Sequence, residues 1–305
     1  MRAKVISFIN MKGGVGKTTL CKELGYYMAK VKSKKMLFID IDPQSNLTQS
    51  FFRRYGYKQI GELEVENEVS NENKKNENTK VYKETDISIE RLFSKSKLDD
   101  SDKTAILELE ENIHIIPGTL NAIFTERSTR SDMIEEMLEM YLNKNDIYSN
   151  YDYIFIDCPP TYSNYTVASI LPSDFYITPV KPDTYSILGL KMMYKVVDDI
   201  METKYKYFEN KSLSNIGVVF TSMPNTLLKY EEKLIQSIKE NRVLKEQGTY
   251  IFEETFIKNT SIQNNISYFI MDNNSEKSIM NLSTLYDEFL GRIEQIEKSN
   301  DKKNN

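Results

Sequence analysis

Apolar runs of strand length recur along this 305-residue chain and alternate with longer segments of helical character. Most of the runs are continuously apolar rather than alternating, which is typical of strands that are covered on both faces. The runs lie at residues 4–9, 35–40, 112–118, 151–157, 174–180 and 216–222. The segments that favour helices lie at residues 17–31, 131–144, 186–204 and 227–240. This alternation predicts an α/β fold, with a mostly parallel twisted sheet and helices on both faces.

Two polar stretches depart from the alternation. Residues 61–85 are rich in Glu, Asn and Lys and nearly lack core-forming side chains, so burial cannot offset the entropy lost on ordering them. We expect a flexible surface insertion there, with a partner-binding arm as the alternative. Residues 298–305 are similarly polar and are expected to form a disordered tail. The sequence therefore predicts a single domain over residues 1–297 that carries one insertion.

Composition and charge narrow the class of protein. Hydrophobic residues make up 40% of the chain and charged residues 28%, as in ordinary globular proteins. No apolar run approaches the roughly 18 residues that span a bilayer, and residues 4–10 lead into a glycine-rich loop rather than a signal-peptide cleavage site. We therefore expect a cytoplasmic protein without stable membrane insertion. The net charge of -5 argues against a chain coated in nucleic acid, but it leaves a local basic patch open.

The two cysteines and the single histidine are not expected to carry chemistry. Cys21 and Cys158 have no nearby Cys or His at metal-ligand spacing, so we expect both to be reduced, packed residues. His114 lies among alternating isoleucines and is expected to be a strand residue rather than a ligand or a base.

The stretch NMKGGVGKTT at residues 10–19 has the form of a phosphate-binding loop. The usual pattern is G-x-x-x-x-G-K followed by Ser or Thr, and Met11 stands where the first glycine is expected. A strand, a glycine-rich turn and a helix in this order place backbone N–H groups around an anion. Lys17 is then expected over the β and γ phosphates, and the Thr18 hydroxyl on Mg²⁺. The expected nucleotide-binding residues are Gly13, Gly14, Val15, Gly16, Lys17, Thr18 and Thr19.

Three carboxylates stand at or just beyond the ends of predicted strands. Asp40 ends one apolar run and Asp42 follows it, while Asp157 ends another. In an open α/β sheet, ligands lie at the carboxyl ends of the strands, so the three acids are expected to converge on the metal and the γ-phosphate. Each acid alone has a second interpretation, as the cap of a turn. Because the three acids occur together with the glycine-rich loop, metal binding and orientation of an attacking water are favoured over capping.

Three motifs, KGGVGKTT, DIDPQSN and IFIDCPP, occur in this order and resemble the deviant Walker A, Walker A′ and Walker B motifs of the ParA/MinD family of P-loop ATPases. The likeness is greatest to the ParA (Soj-like) partition branch and extends over about residues 4–270 with the insertion set aside. The resemblance implies a P-loop NTPase fold with ATP and Mg²⁺ as cofactors. In this family the extra lysine, here Lys12, reaches the nucleotide of the other subunit in an ATP-sandwich dimer.

The resemblance also implies roles for individual residues. Asp42 would position the hydrolytic water. Residues 179–183 would lie near the adenine and the dimer face, with Pro179 and Asp183 as contacts. The implied catalytic residues are Lys12, Lys17 and Asp42. The implied metal-supporting residues are Thr18, Asp40 and Asp157.

The family's cycle extends these expectations to partners. ATP-bound dimers of ParA proteins bind DNA without sequence preference, and a ParB-like centromere-binding protein stimulates their slow hydrolysis. The resemblance therefore implies a Mg²⁺-dependent, nucleoid-associated ATPase that forms a homodimer and partitions a plasmid or chromosome. Non-specific DNA binding needs cations gathered on one face of the protein. The candidates are Lys191, Lys195, Lys204, Lys206, Lys211 and Lys258, and the alternative for each alone is an ordinary solvated surface charge.

A MinD-like or other positioning ATPase, acting on a membrane or protein cargo rather than DNA, is the alternative. Membrane attachment would need a basic amphipathic helix near the C-terminus. The last helical segment has mixed charge, so we expect its apolar face to pack in the core; that face consists of Leu285, Phe289, Leu290, Ile293 and Ile296. The positions of the cysteines disfavour an iron–sulfur protein, and the presence of Asp42 disfavours an adaptor that binds nucleotide without hydrolysing it.

Overall fold

The apolar runs of the sequence form most strands of one eight-stranded sheet in the computed structural model. The structure describes residues 2–60, 82–93, 104–122, 124, 130–224, 227–273 and 275–304. In chain order its strands are β1 (Lys4–Phe8), β2 (Met36–Asp40), β3 (Tyr57–Gln59), β4 (Lys83–Thr85), β5 (Leu107–Glu110), β6 (Ile113–Ile116), β7 (Tyr153–Asp157), β8 (Phe175–Val180), β9 (Ser214–Met223) and β10 (Phe256–Ile257).

The strand order across the sheet is β10-β9-β8-β1-β7-β2-β6-β5. All neighbouring strands run parallel except β5 and β6, which are antiparallel. Strands β2, β7 and β8 are buried along their whole length, because helices cover both faces of the sheet. The predicted α/β fold with a mostly parallel sheet is therefore confirmed.

Helices lie on both sides of the sheet. In chain order they are α1 (Lys17–Lys32), α2 (Asn46–Tyr55), α3 (Glu90–Phe93), α4 (Ser131–Lys144), α5 (Asn164–Ile170), α6 (Ser186–Thr203), α7 (Tyr205–Phe208), α8 (Lys229–Lys239), α9 (Arg242–Glu246), α10 (Thr260–Asn264) and α11 (Glu276–Asn304). Helices α4, α5 and α6 share one apolar layer with Ile154 and Ile156 of β7. Helices α1, α2 and α11 share the other layer with Tyr153 and Phe155. Alternate residues of β7 face opposite layers, because successive side chains of a strand point to opposite faces.

The C-terminal helix extends further than the sequence predicts. Helix α11 continues through Asn304, so residues 298–304 are helical where the sequence predicts a disordered tail. An existing helix gains one backbone hydrogen bond for each residue added to it, which makes a polar extension feasible. Leu285, Phe289 and Ile293 are at most 1% exposed, which confirms the expected core packing of the apolar face. Within the described ranges, no helix combines the length and the apolar character needed to cross a membrane.

The last residues of the predicted insertion form a strand. Strand β4 is formed by the last three residues of the predicted segment, and it pairs in parallel with β3. The backbone N–H of Lys83 donates to the carbonyl of Gly56 at 2.8 Å, and that of Ile60 donates to the carbonyl of Thr85 at 2.9 Å. Backbone pairing therefore orders Lys83–Thr85, a stabilisation that side-chain composition does not reveal. Residues 61–81 of the predicted insertion lie outside the described residues.

The cysteines and the histidine occupy the positions expected of packed residues. Cys21 and Cys158 are free thiols and are fully buried. His114 lies in β6, and its Nδ1 is 2.7 Å from the hydroxyl oxygen of Tyr151. Burial lowers the pKa of His114, which favours the neutral ring.

A buried ion pair ties α1 to the segment that precedes α11. Lys22 Nζ lies 3.1 Å from Glu23 Oε1, and the two side chains are 3% and 0% exposed. Lys22 also donates to the carbonyl of Tyr268 at 2.8 Å. Glu23 Oε2 accepts a hydrogen bond from the backbone N–H of Ile270 at 2.9 Å. These contacts hold the helix that follows the glycine-rich loop against the C-terminal part of the chain.

Replacing Glu23 by alanine is expected to lower the free energy of unfolding by about 3–5 kcal/mol, because Lys22 would remain charged in a buried site without its partner. Chemical denaturation followed by circular dichroism measures this loss. Glu246→Ala is the matched control, since it breaks an exposed pair with Arg242 and should leave stability nearly unchanged. A Glu23→Ala loss as small as that of the control would contradict a structural role for the buried pair.

Candidate nucleotide-binding site

The glycine-rich loop leaves the sheet at the carboxyl end of β1, between β8 and β7. It connects β1 directly to α1, so the N-terminus of α1 points to the centre of the carboxyl edge. Gly13 and Gly14 are exposed in this loop, whereas Val15 is buried. The backbone N–H groups of such a loop can surround an anion. The strand, loop and helix predicted for residues 4–31 are therefore present.

One end of the loop is docked on β9. The hydroxyl of Thr221 donates to the carbonyl of Val15 at 2.5 Å. Gly16 has a φ of +85°, and a Cβ added there would lie 3.3 Å from the Thr221 side chain. A residue with a side chain would be both strained and crowded at this position, so the chain needs glycine at position 16.

The other end of the loop is docked on the segment between β8 and α6. The side-chain amide of Asn10 donates to the carbonyl of Pro179 at 2.8 Å, and its Oδ1 accepts from the backbone N–H of Lys12 at 2.9 Å. The Lys12 ammonium forms an ion pair with Asp183. Pro179 and Asp183 therefore meet the start of the loop rather than its phosphate-facing end.

Lys17 is the first residue of α1, and its side chain is buried. The residue is only 6% exposed, and its Nζ donates to the carbonyl of Lys12 over a long 3.4 Å. Burial lowers the pKa of Lys17, and the charges of Asp157 and Asp42 act in the opposite direction. A lysine ammonium has three donors, so this one can donate to phosphate oxygens as well as to the loop.

Asp157 and Asp40 end two neighbouring strands. Asp157 of β7 is level with Phe8 of β1 on one side and with Asp40 of β2 on the other. The hydroxyl of Thr18 donates to Asp157 Oδ2 at 2.6 Å. Burial raises the pKa of Asp157 to about 7, while the Thr18 hydrogen bond and the charge of Lys17 act to lower it. The structure therefore places Asp157 beside both Asp40 and the start of α1, while convergence on a metal and the γ-phosphate stays a prediction.

Asp40 is held by residues from two other segments. Its Oδ2 accepts from the backbone N–H and the hydroxyl of Thr48, at 2.8 and 2.7 Å. The same hydroxyl accepts from the backbone N–H of Gly118 at 2.7 Å, and a Cβ on Gly118 would lie 2.9 Å from Asp40 Cγ. Burial, followed by the charge of Asp157, raises the pKa of Asp40. Among the described residues, Oδ1 of Asp40 and Oδ1 of Asp157 are buried without a hydrogen-bond partner.

Asp42 lies in the turn after β2 and is 6% exposed. Its Oδ1 accepts from the backbone N–H of Gln44 at 2.9 Å. Burial raises the pKa of Asp42, whereas the Gln44 N–H and the charge of Lys17 act to lower it. The carboxylate is thus held in one orientation, close enough to Lys17 to interact with its charge.

A small cavity opens beside Gly16 and Thr19, and sequence analysis did not assign it. The ends of β9 and β10 and the start of α10 form its walls, through Thr221, Ser222, Phe256, Ile257, Lys258, Asn259 and Ile262. Pro179 and Asp183 are absent from the described residues that line it. The cavity therefore lies on the β9 side of the loop, away from the segment that the sequence predicts to meet the adenine.

Two of the six lysines proposed for DNA binding are engaged in contacts within the fold. Lys204 Nζ lies 2.7 Å from the carboxylate of Glu135. Lys211 donates to the carbonyl of Leu171 at 2.8 Å, and burial lowers its pKa to about 8. Lys211 lies just before the first residue of β9, and Lys258 lies next to its last residue. Because β9 has 10 residues, the two lysines are about 30 Å apart. Lys204 and Lys211 are therefore the two candidates that already have partners within the fold, while DNA binding by the other four stays a prediction.

The remaining four lysines are accessible, and the two that lie on α6, Lys191 and Lys195, share that helix with acids. The exposed members of the set are Lys191, Lys195, Lys206 and Lys258. Asp198, Asp199 and Glu202 are exposed further along α6. The helix therefore presents both signs of charge to the solvent.

Three residues that organise the site escaped the sequence analysis. Asn10 and Thr221 anchor the two ends of the loop, and Thr48 anchors Asp40. Asn10 directly precedes the loop, so its position offered a signal. Thr48 and Thr221 are ordinary residues of α2 and β9, and only the fold brings them to the site.

Comparison with known proteins agrees with this geometry. Residues 3–215 match the model of a family described as an AAA domain. The chain is 25% identical over 284 residues to the virulence plasmid ParA family protein of Chlamydia psittaci, covering 92% of this chain and 93% of the relative. It is 26% identical over 265 residues to the chromosome-partitioning ATPase Soj of Treponema pallidum, covering 86% and 84%.

The fold is also similar to that of a solved structure. A variant of McdA from Cyanothece in complex with ATP superposes with a TM-score of 0.68 at 22% identity, covering 95% of this chain and 97% of that one. The family match covers most of the sheet and every motif from the loop to Asp157. The chain therefore belongs to the AAA-domain family and is a P-loop ATPase of the ParA/MinD type.

Proposed function

We propose that the protein is a Mg²⁺-dependent partition ATPase that dimerises around ATP. The observation that carries the proposal is the contrast between the two lysines of the loop. Lys17 is 6% exposed and faces the carboxylates, whereas the Lys12 side chain is 32% exposed at the rim. Lys17 can serve the nucleotide of its own protomer, and Lys12 can reach the nucleotide of a second copy.

The reaction is attack of water on the γ-phosphorus, with cleavage of the bond to the β–γ bridging oxygen and release of ADP. Lys17 and the partner's Lys12 neutralise the charge that develops on the phosphate oxygens. Asp42 orients the attacking water by accepting a hydrogen bond from it. The turn that fixes Asp42 through the Gln44 N–H supports this role, because a positioned carboxylate needs no rearrangement during the reaction.

The residues beside Lys17 fit a magnesium ion. Thr18, Asp157 and Asp40 offer oxygen ligands only, as Mg²⁺ prefers, and one buried oxygen of each carboxylate has no hydrogen-bond partner among the described residues. A bound Mg²⁺ would supply positive charge to the β and γ phosphates. Thr18 and Asp157 hold each other in place through their hydrogen bond, and Thr48 fixes Asp40 in the same way.

The cavity beside Gly16 is the proposed site of the adenine base. Phe256 and Ile262 supply apolar walls, while Ser222 and Asn259 supply polar groups for the ring edge. An apolar slot with a few polar groups is typical of small-molecule sites. Its position beside Gly16 and Thr19, which flank Lys17 and Thr18 in the chain, supports this assignment over residues 179–183.

An apolar stripe that begins at Tyr185, just before α6, and continues along the helix supports a face-to-face homodimer. Tyr185, Leu188 and Met192 are 68%, 58% and 54% exposed, and their spacing places them along one side of the helix. Gly189 lies between them, and a Cβ added there would be 3.8 Å from Lys12 Cβ. An exposed apolar stripe next to the loop rim is the kind of surface that a second subunit covers.

The proposed ATP-bound dimer binds DNA without sequence preference through Lys191, Lys195, Lys206 and Lys258. It acts on the nucleoid and is released when a ParB-like centromere-binding partner stimulates hydrolysis. The exposed acids of α6 favour a second candidate, a positioning ATPase whose cargo is a protein, because they weaken attraction to phosphates. A membrane cargo is less favoured, since the apolar face of α11 packs in the core.

Binding to a non-specific DNA duplex, measured with ATP and with ADP across a salt series, tests the proposal. The parent protein is expected to bind only with ATP and to weaken as salt rises. Lys12→Ala should retain ATP binding within a few-fold but weaken DNA binding at least about tenfold, because each dimer loses two charge-assisted contacts. Lys298→Ala, at a side chain that is 76% exposed on α11, is the matched control and should behave like the parent.

The outcomes separate the two candidates. Equal DNA binding with ATP and ADP, or DNA binding that Lys12→Ala leaves intact, would overturn the dimer switch. Dimerisation with ATP but no DNA binding at any salt concentration would favour the protein-cargo candidate.

A further inference from the structure

Lys12 is held within its own protomer by Asp183. The two side chains are only 32% and 36% exposed and form an ion pair at the rim of the loop. Asp183 stands between β8 and α6, so the pair joins parts of the chain that are 171 residues apart. The ammonium that is proposed to reach a second nucleotide therefore already has an anionic partner in the single chain.

Asp183 is fixed in this position by its neighbours. Its Oδ1 accepts from the backbone N–H of Tyr185 at 2.9 Å and from the hydroxyl of Ser186 at 3.1 Å. The Ser186 hydroxyl also accepts from the backbone N–H of Asp183 at 2.9 Å. These bonds engage Oδ1 and leave Oδ2 for Lys12. Burial acts to raise the pKa of Asp183, but Lys12 and the Tyr185 N–H outweigh it and lower the pKa.

We propose that Asp183 is a positioning residue that restrains Lys12 in the monomer and must release it when the dimer forms. This inference rests on the proposed function, in which Lys12 binds the nucleotide of a partner. A triphosphate carries more negative charge than one carboxylate. The Lys12 ammonium therefore gains free energy when it leaves Asp183 for the ATP of a second subunit, and it gains less when that nucleotide is ADP. Asp183 thereby adds a cost to dimerisation, which the charge of a partner-bound ATP offsets and that of ADP offsets less.

The size of the effect follows from the exposure of the pair. In a partly exposed ion pair, the paired arrangement of the two side chains is favoured over the separated one by about two- to fivefold. Each dimer breaks two such pairs, so removal of both should strengthen dimerisation by about four- to twenty-five-fold.

Asp183→Asn is the sharpest test, because an asparagine keeps an Oδ1 acceptor for Tyr185 and Ser186 while removing the negative charge that faces Lys12. The dimer dissociation constant would be measured by sedimentation with a non-hydrolysable ATP analogue and with ADP. We expect it to fall about four- to twenty-five-fold with the ATP analogue, and the gain should shrink as salt screens the pair. Asp132→Asn, which removes a charge from the exposed pair with Arg130, is the matched control and should leave dimerisation unchanged.

A double-mutant cycle separates restraint of Lys12 from a general effect on the loop. In the Lys12→Ala background, Asp183→Asn should change nothing, since no ammonium remains to be restrained. Weaker or unchanged dimerisation of Asp183→Asn, or an equal gain in the Lys12→Ala background, would overturn the proposal. If Lys12→Ala alone left dimerisation intact, the proposed function itself would fail instead. Thermal unfolding of each variant verifies that the fold is retained.

Discussion

Replacing Lys17 by alanine is expected to weaken ATP binding by at least about thirtyfold. The side chain is buried at the start of α1, next to Asp157 and Asp42, and truncating one partner of a buried charged contact costs about 2–5 kcal/mol. Without the ammonium, no positive charge of this side chain would offset the repulsion between the triphosphate and these two carboxylates. Titration calorimetry with ATP and a non-hydrolysable analogue measures the loss directly.

The control for Lys17→Ala must separate lost contacts from lost structure. Lys298→Ala removes a lysine of the exposed face of α11 and should bind ATP as the parent does. Removing a desolvated cation from between acids can also change stability, so thermal unfolding of both variants should accompany the titration. A folded Lys17→Ala variant that binds ATP within threefold of the parent would refute the assignment of Lys17 to the phosphates.

Replacing Asp42 by asparagine is expected to slow ATP hydrolysis by about 10² to 10⁴-fold, the usual contribution of a positioned group that activates the nucleophile. ATP binding should be retained or become slightly tighter, because a negative charge near the γ-phosphate is removed. Asparagine keeps an acceptor for the Gln44 N–H, so the turn should survive. The variant should therefore accumulate as an ATP-bound dimer, as should Asp42→Ala.

Single-turnover phosphate release and sedimentation with ATP measure both parts of this prediction. Asp287→Asn changes an exposed acid of α11 and serves as the control. Hydrolysis by Asp42→Asn at the parent's rate would show that the water is oriented by another group. A parallel loss of ATP binding would mean that Asp42 supports the nucleotide instead.

The strand order explains why one edge of the sheet carries all of this chemistry. Strands β7, β1 and β8 are consecutive in space, and β2 lies next to β7. Parallel strands place their carboxyl ends at the same edge, so Asp157, Asp40 and the loop meet there. Residues from β9 and from the segment after β8 then hold the two ends of the loop.

Much of the site could be predicted from the sequence because its signals are local. Strands β1, β2 and β7 appear as apolar runs, and the glycines with Lys17 and Thr18 form one continuous motif. Asp40 and Asp157 stand where those runs end. A parallel sheet brings such strand ends to one edge whatever the exact order of the strands, so convergence followed from the fold class.

Tertiary structure alone decided the contacts between distant segments. Lys12 and Asp183 are 171 residues apart, and Val15 meets Thr221 across 206 residues. The sequence around Lys211 predicts a surface lysine, yet the fold brings its ammonium to the carbonyl of Leu171, 40 residues earlier in the chain. Sequence pattern records which side chains avoid water and which backbone stretches favour a helix or a strand. Which segments become neighbours depends on the order of strands in the sheet, and that order is set by packing of the whole chain rather than by any local stretch.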